Sequence, residues 1–183
     1  SAIAKFPHPL LRECEAIEIL SDGKDEPMPG IGSARSGWEM LSPSEVIQIL
    51  KEAGVVGMGQ ETFPPHFQIE ASLPFQVDTL ILNGCESEPY LTSDHCVMMS
   101  HPVEVLKGGE ILRRALRAQK LIVVLEDNKE EVAELLKSKI FFHRWSQTEV
   151  QILPSRYPQE REEILVRHLL GRSIPTGHFS WEA

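Results

Sequence analysis

No pair of cysteines in this 183-residue chain stands at CxxC spacing, and only Cys14, Cys85 and Cys96 are present. A self-contained iron–sulfur or zinc-ribbon site needs closely spaced thiolates, so neither is expected within the chain. An odd, irregular set of thiols builds no disulfide framework and suits a reducing, cytoplasmic setting. Long apolar runs are also missing. The stretch Leu121–Leu125 is strand-sized, whereas a bilayer span needs roughly 20 apolar residues. Residues 1–14 carry Pro7, His8, Pro9 and Arg12 in place of the apolar core of a signal peptide. Positive charge is scarce: 18 Lys and Arg face 27 Asp and Glu, a net −9. Such a surface repels phosphate backbones and anionic headgroups, so neither nucleic-acid binding nor direct membrane insertion is expected. No Walker loop and no Ser/His/Asp arrangement with motif support occurs. The opening Ser1-Ala2, without Met, reads as the start of an excised fragment.

What is present suits one α/β domain with a short appendage, because 42% hydrophobic residues suffice for a core. Residues 1–40 read as an irregular N-terminal segment. One alternating strand over Glu15–Leu20 is followed by a linker rich in Pro and Gly over Ser21–Gly37. From residue 41 onward the pattern becomes regular. Ser42-Pro43-Ser44-Glu45 is a capping box with proline at the first helical position, and Gly54 marks that helix's end. Strands are expected at Asp78–Leu82, Leu121–Leu125 and Glu149–Leu153. Helices are expected from Pro102 to Ala118, from an Asn128 cap to Lys139, and from Pro158 to Leu170. This alternation predicts an α/β fold, a three-layer sandwich around a mainly parallel sheet. Ligands bind such sheets beyond the carboxyl ends of the strands. The segments to read for chemistry are therefore 83–95, 126–129 and 154–163.

The first of these, Asn83-Gly84-Cys85-Glu86-Ser87-Glu88-Pro89-Tyr90 running on to Asp94-His95, crowds carboxylates, an amide and an aromatic ring after a buried strand. It reads either as a polar ligand site or as a solvated acidic turn that caps the next helix. A second candidate is the loop Gly57-Met58-Gly59, leading to Phe63-Pro64-Pro65-His66. Glycines let a backbone approach a phosphate or a flat ring, yet this pair follows a helix and not the strand of a dinucleotide fingerprint. The third, Tyr157 to Glu163, offers an aromatic ring and the carboxylates Glu160, Glu162 and Glu163. Those acids are equally explained by the dipole of the helix they open.

Taken in order, these segments resemble a known family. Ala53-Gly54-Val55-Val56-Gly57-Met58-Gly59, with Phe63-Pro64 and His66, is similar to the glycine-rich flavin loop of the C subunit of the Rnf ferredoxin:NAD oxidoreductase. Related flavin subunits are those of respiratory complex I and of the cobalamin reductase of propanediol-using bacteria. Ile81-Leu82-Asn83-Gly84, Glu86, Glu88-Pro89-Tyr90-Leu91-Thr92 and Asp94-His95 match the acidic loop. Leu125–Lys129, Tyr157-Pro158-Gln159 with Glu162, and Gly171-Arg172 with Ile174-Pro175 match later junctions. Asp22–Glu26 resembles the tail of a preceding barrel-like domain, so residues 1–40 are read as its remnant plus a linker. Residues 41–183 then form a domain of the flavin mononucleotide (FMN)-binding type.

The resemblance implies FMN as cofactor, NAD(H) as substrate, and electrons passing to iron–sulfur clusters held in parts of the parent protein outside this chain. It implies partners among the other subunits of a membrane-associated electron-transport complex, with this piece peripheral to the membrane. Glu88 would border the nicotinamide face as the catalytic position. Gly57, Gly59, Phe63, Pro64, Asn83, Glu86, Tyr90, Asp94, Tyr157 and Glu162 would form the cofactor site. No metal ligand is implied.

The departures from the pattern concentrate in the pocket. Gln60-Glu61-Thr62 replaces the usual Gly-Ala-Gly, Gln68 a phosphate-binding lysine, Glu160 a glycine and Glu163 a lysine. Exchanging a phosphate-paired cation for a neutral amide removes about 1.5–3 kcal/mol, roughly a tenfold to hundredfold loss of affinity. Two readings follow: a flavin- and NAD(H)-binding module, or a family member that has given up FMN and serves as a structural or partner-docking domain.

Overall fold

The computed structural model describes residues 2–7, 13–24, 26, 37–57, 63–88 and 90–183, in two units, Ser1–Ser36 and Gly37–Ala183. In the first unit β1 (Ala2–Phe6) and β2 (Cys14–Glu18) pair antiparallel, with Ile3 opposite Ile17. The segment is thus more regular than its sequence suggests. The second strand begins and ends one to two residues before the expected stretch, because its pairing with β1 and not its alternation sets the limits.

The second unit is built on three parallel strands, β3 (Thr79–Asn83), β4 (Lys120–Glu126) and β5 (Thr148–Leu153), in the order β3-β4-β5. The central strand is buried on both faces, which accounts for its unbroken apolar run. Val123 and Leu125 point to one layer, where they meet Met98 of α3 (Ser93–Ser100), Leu106 of α4 (Pro102–Ala115) and Val132 and Leu136 of α5 (Glu130–His143). Ile122 and Val124 point to the other, against Leu165 of α6 (Glu162–Leu170). Each of these large side chains, once fully buried, contributes about 1.5–3 kcal/mol. Buried Glu110 of α4 takes hydrogen bonds from Arg113 and from Thr148 of β5, so its charge is compensated where the helix crosses the sheet.

The remaining helices, α1 (Pro43–Glu52) and α2 (Pro65–Ser72), pack on α4 through Val46, Ile47, Ile69 and Ala115. The capping box at Ser42 forms as expected: the Ser42 hydroxyl accepts from Glu45 N–H at 3.3 Å, and the Glu45 carboxylate accepts from Ser42 N–H at 2.8 Å. α2 and α3 were not legible as helices. Phe67, Ile69 and Ala71 alternate along α2 instead of repeating at helical spacing, and α3 buries Met98 alone. α4 stops at Ala115, and α5 begins only after a tight turn over Asp127–Lys129, so Asn128 is not its cap; α5 continues to His143. α6 starts at Glu162 and not Pro158, because Gln159 N–H closes a turn onto Arg156 C=O at 2.7 Å. Gly171 ends α6 at φ 65°, the left-handed cap that glycine adopts without strain. No described helix is long and apolar enough to cross a membrane.

Candidate functional site

The carboxyl ends of all three strands open on one side of the sheet, and a cavity of about 240 Å³ lies there. The loop after β3 supplies Glu86, Glu88 and Tyr90, the β4–α5 turn supplies Glu126 and Lys129, and the segment after β5 supplies Tyr157 and Glu160. All three segments singled out from sequence therefore meet at one place. A cavity of this size is below the roughly 300–1,000 Å³ of a site for a whole drug-sized ligand, and suits one ring or one polar group.

Its floor is an ion pair. Lys129 Nζ lies 2.7 Å from Glu126 Oε2, and the two residues are 5% and 8% exposed. The same carboxylate oxygen accepts Glu86 N–H at 3.3 Å, which ties the acidic loop to the end of β4. Glu86 in turn accepts His95 N–H at 3.1 Å in the first turn of α3. Asn83 makes a second tie: its amide donates to Glu160 C=O at 2.8 Å and its carbonyl accepts Cys85 N–H at 3.1 Å. Between them, Gly84 leaves no room for a side chain. A Cβ there would lie 2.7 Å from Leu125 Cδ2 and 2.9 Å from the Val124 carbonyl oxygen. Asp127 holds the third segment by accepting both N–H and hydroxyl of Ser155, which keeps its carboxyl below the usual range.

The electrostatics follow from this crowding. Burial, then the nearby Glu126 carboxylate, pushes the Cys85 thiol up to about 12. That thiol stays protonated and inert at neutral pH. Partial desolvation and repulsion from Glu86 raise the Asp94 carboxyl. Tyr90 and Tyr157 stand fully and largely exposed at the mouth, with Tyr90 in the left-handed backbone region at φ 69°. A non-glycine residue held there costs on the order of 1–3 kcal/mol, and such strain clusters at ligand sites.

The residues expected to share one site are divided. Glu86, Glu88, Tyr90 and Tyr157 border this cavity. Asn83 and Glu162 border a larger groove of about 470 Å³ along β3, together with Pro65 and Gln68 of α2. Gly57 N–H donates to Phe63 C=O at 3.1 Å and closes the neck of the glycine loop, and Pro64 precedes the first turn of α2. Gly59, with Gln60, Glu61 and Thr62, lies outside the described residues. Asp94 sits in the first turn of α3 and lines neither cavity, though it feels the charges of the cavity residues Glu86 and Lys129. Residues 126–129 were among the segments read for chemistry, but the buried pairing of Glu126 with Lys129 was not read from the sequence. Its one signal is an acid and a base three residues apart at the end of an apolar strand.

Residues 50–183 match the Nuo51 FMN-binding domain. Over 177 residues the chain is 41% identical to the C subunit of the proton-translocating ferredoxin:NAD(+) oxidoreductase complex of Clostridium ljungdahlii, covering 96% of this chain and 37% of that protein. It is 33% identical over 176 residues to the C subunit of the Na(+)-translocating ferredoxin:NAD(+) oxidoreductase complex of Acetobacterium woodii, covering 96% and 39%. Among solved structures, the NAD+-reducing [NiFe]-hydrogenase in the H2-reduced state superposes with a TM-score of 0.62 at 21% identity, over 71% of this chain and 24% of that one. The chain thus spans less than two-fifths of the length of these curated relatives, and the structural likeness is one of fold.

Proposed function

Because the chain belongs to the family of the Nuo51 FMN-binding domain, we propose that it is the flavin- and NAD(H)-handling module of an electron-transport protein similar to the C subunit of ferredoxin:NAD(+) oxidoreductase complexes. The observation that carries the reading is the convergence of Glu86, Glu88, Tyr90 and Tyr157 on one cavity beyond the carboxyl ends of parallel strands. A flavin bound there would accept a hydride from NADH and release electrons singly to iron–sulfur clusters elsewhere in the parent protein. In this proposal Glu88 borders the nicotinamide, and the two tyrosines frame a flat ring. The resemblance assigns the phosphate to the segment between Gly57 and Pro64; Pro65 and Gln68, which follow it, line the neighbouring groove. Glu86 and Asn83 position the acidic loop and keep one carboxylate oxygen and part of one amide for the ligand. Residues 1–40 are then the remnant of a preceding domain, and the module works beside partner subunits of a membrane-associated complex.

A second reading is favoured by a specific observation. Asn83 and Glu86 already spend hydrogen bonds on Glu160, Cys85 and His95, and Gln68 brings no charge to the phosphate side. Under it the domain keeps the fold without FMN and serves as a structural or docking element.

Titration of FMN with the purified chain, followed by quenching of flavin fluorescence, separates the two. Saturable quenching at micromolar protein that weakens in Glu88→Ala supports the flavin module. Absence of quenching at high protein concentration, with the circular dichroism of a folded domain, overturns it in favour of the second.

A further inference from the structure

Lys129 is held less completely than Arg113, the cation that pairs with buried Glu110. A buried ion pair is seldom better for stability than apolar residues of the same volume, so each pair calls for its own account. Arg113 also donates to Ala118 C=O at 2.6 Å, Glu110 also accepts from Thr148, and together they fasten α4 to the sheet. Lys129 has no such second duty. Its ammonium donates to Glu126 Oε2 at 2.7 Å and lies 3.4 Å from Asn128 Oδ1, too far for a strong bond. An ammonium carries three donors, and no third partner occurs among the described residues.

Although only 5% exposed, Lys129 lines the cavity of about 240 Å³ beyond the strand ends. The other charged groups around that cavity are Glu86, Glu88, Glu126 and Glu160, together with Arg156, which is exposed. Water and salt screen an exposed charge, whereas a buried one is screened much less. Among the residues lining the cavity, Lys129 is therefore the one strong counter-charge to four carboxylates, and it has a donor to spare.

We propose that Lys129 donates this free hydrogen bond to the redox-active ring and thereby favours its reduced over its oxidised state. The assignment rests on the flavin reading of the domain. NADH hands over a hydride, two electrons with one proton, and leaves as NAD+, so the ring that takes it gains one negative charge. A protein tunes a flavin through the charges it places near the ring. To the neutral, oxidised ring Lys129 offers a hydrogen bond; to the reduced ring it offers the same bond and an opposite charge. The second interaction is the stronger, because a buried site screens it little. Glu126 holds the ammonium at the cavity floor, and the Glu86 N–H at 3.3 Å ties that carboxylate to the acidic loop.

Lys129→Met alone strands Glu126 in the interior, so the pair is removed together, as Lys129→Met with Glu126→Gln in the 183-residue chain. Circular dichroism checks the fold, and fluorescence quenching gives the affinity for oxidised FMN. Spectroelectrochemical titration gives the midpoint potential of the bound flavin. Relative to oxidised FMN, the double variant is expected to hold reduced FMN at least about tenfold less tightly than the unaltered chain does. For a two-electron couple that ratio is a midpoint potential lower by about 30 mV. An unchanged potential overturns the inference and leaves the flavin reading standing, whether the affinities for both states are kept or fall equally. Lys129 would then serve neither state over the other. If the unaltered chain quenches no FMN fluorescence, the flavin reading fails and this assignment fails with it.

Discussion

Replacing Lys129 with methionine removes the cation under the cavity and keeps most of the aliphatic volume. Glu126, 8% exposed, is then a buried carboxylate whose ammonium partner at 2.7 Å is gone. Breaking a buried pair by deleting one partner costs about 3–5 kcal/mol. The Glu86 N–H still bonds the same oxygen at 3.3 Å, which places the expected loss in the lower half of that range. For a chain of this size each kcal/mol moves the melting midpoint by about 2–4 °C, so a drop of roughly 6–16 °C is expected. Urea unfolding followed by circular dichroism measures it. The double variant Lys129→Met with Glu126→Gln is expected to recover most of the loss, since no unpaired charge is left. A loss below about 1 kcal/mol would equate the pair with a solvent-screened surface bridge and refute the reasoning. A double variant as unstable as the single one would also refute it, because the cost would then lie in packing.

Two further outcomes follow from the same loop. Gly84→Ala forces a Cβ to within 2.7 Å of Leu125 and 2.9 Å of the Val124 carbonyl oxygen, and an overpacking cost of about 1–3 kcal/mol is expected in urea melts. Cys85, with its thiol pushed up to about 12 from 9.0, is expected to escape iodoacetamide at pH 8 while exposed Cys96 reacts, as mass spectrometry of the labelled peptides would show. The folded-state value is the raised one, so stability is intact below pH 9 and falls above it by up to about 1.4 kcal/mol per pH unit. Cys85→Ala is expected to remove that slope.

Elements whose signals are local were legible in the residues. The run Leu121–Leu125 is apolar throughout because a central parallel strand is covered on both faces. Ser42 and Glu45 cap α1 through contacts three residues apart, and Gly171 stops α6 by its own backbone preference. α2 escaped because its apolar residues do not repeat at helical spacing. The start of α6 was misplaced because the turn Arg156–Gln159 and the Asn83–Glu160 bond, made by a residue far away in sequence, hold residues 156–160 out of helix.

The site divides in the same way. Family membership and the identity of the acidic loop were written in the sequence, since motif residues stand next to one another along the chain. Which of them face the same space was not, because that depends on how three strand ends are brought together. The sheet assigns Glu86, Glu88, Tyr90 and Tyr157 to one cavity and Asn83 and Glu162 to another. It also buries Glu126 and Lys129 against each other, turning an ordinary i,i+3 charge pair into the floor of the cavity. Burial and long-range pairing arise only when segments far apart in sequence pack together, and for that reason the tertiary structure alone decided them.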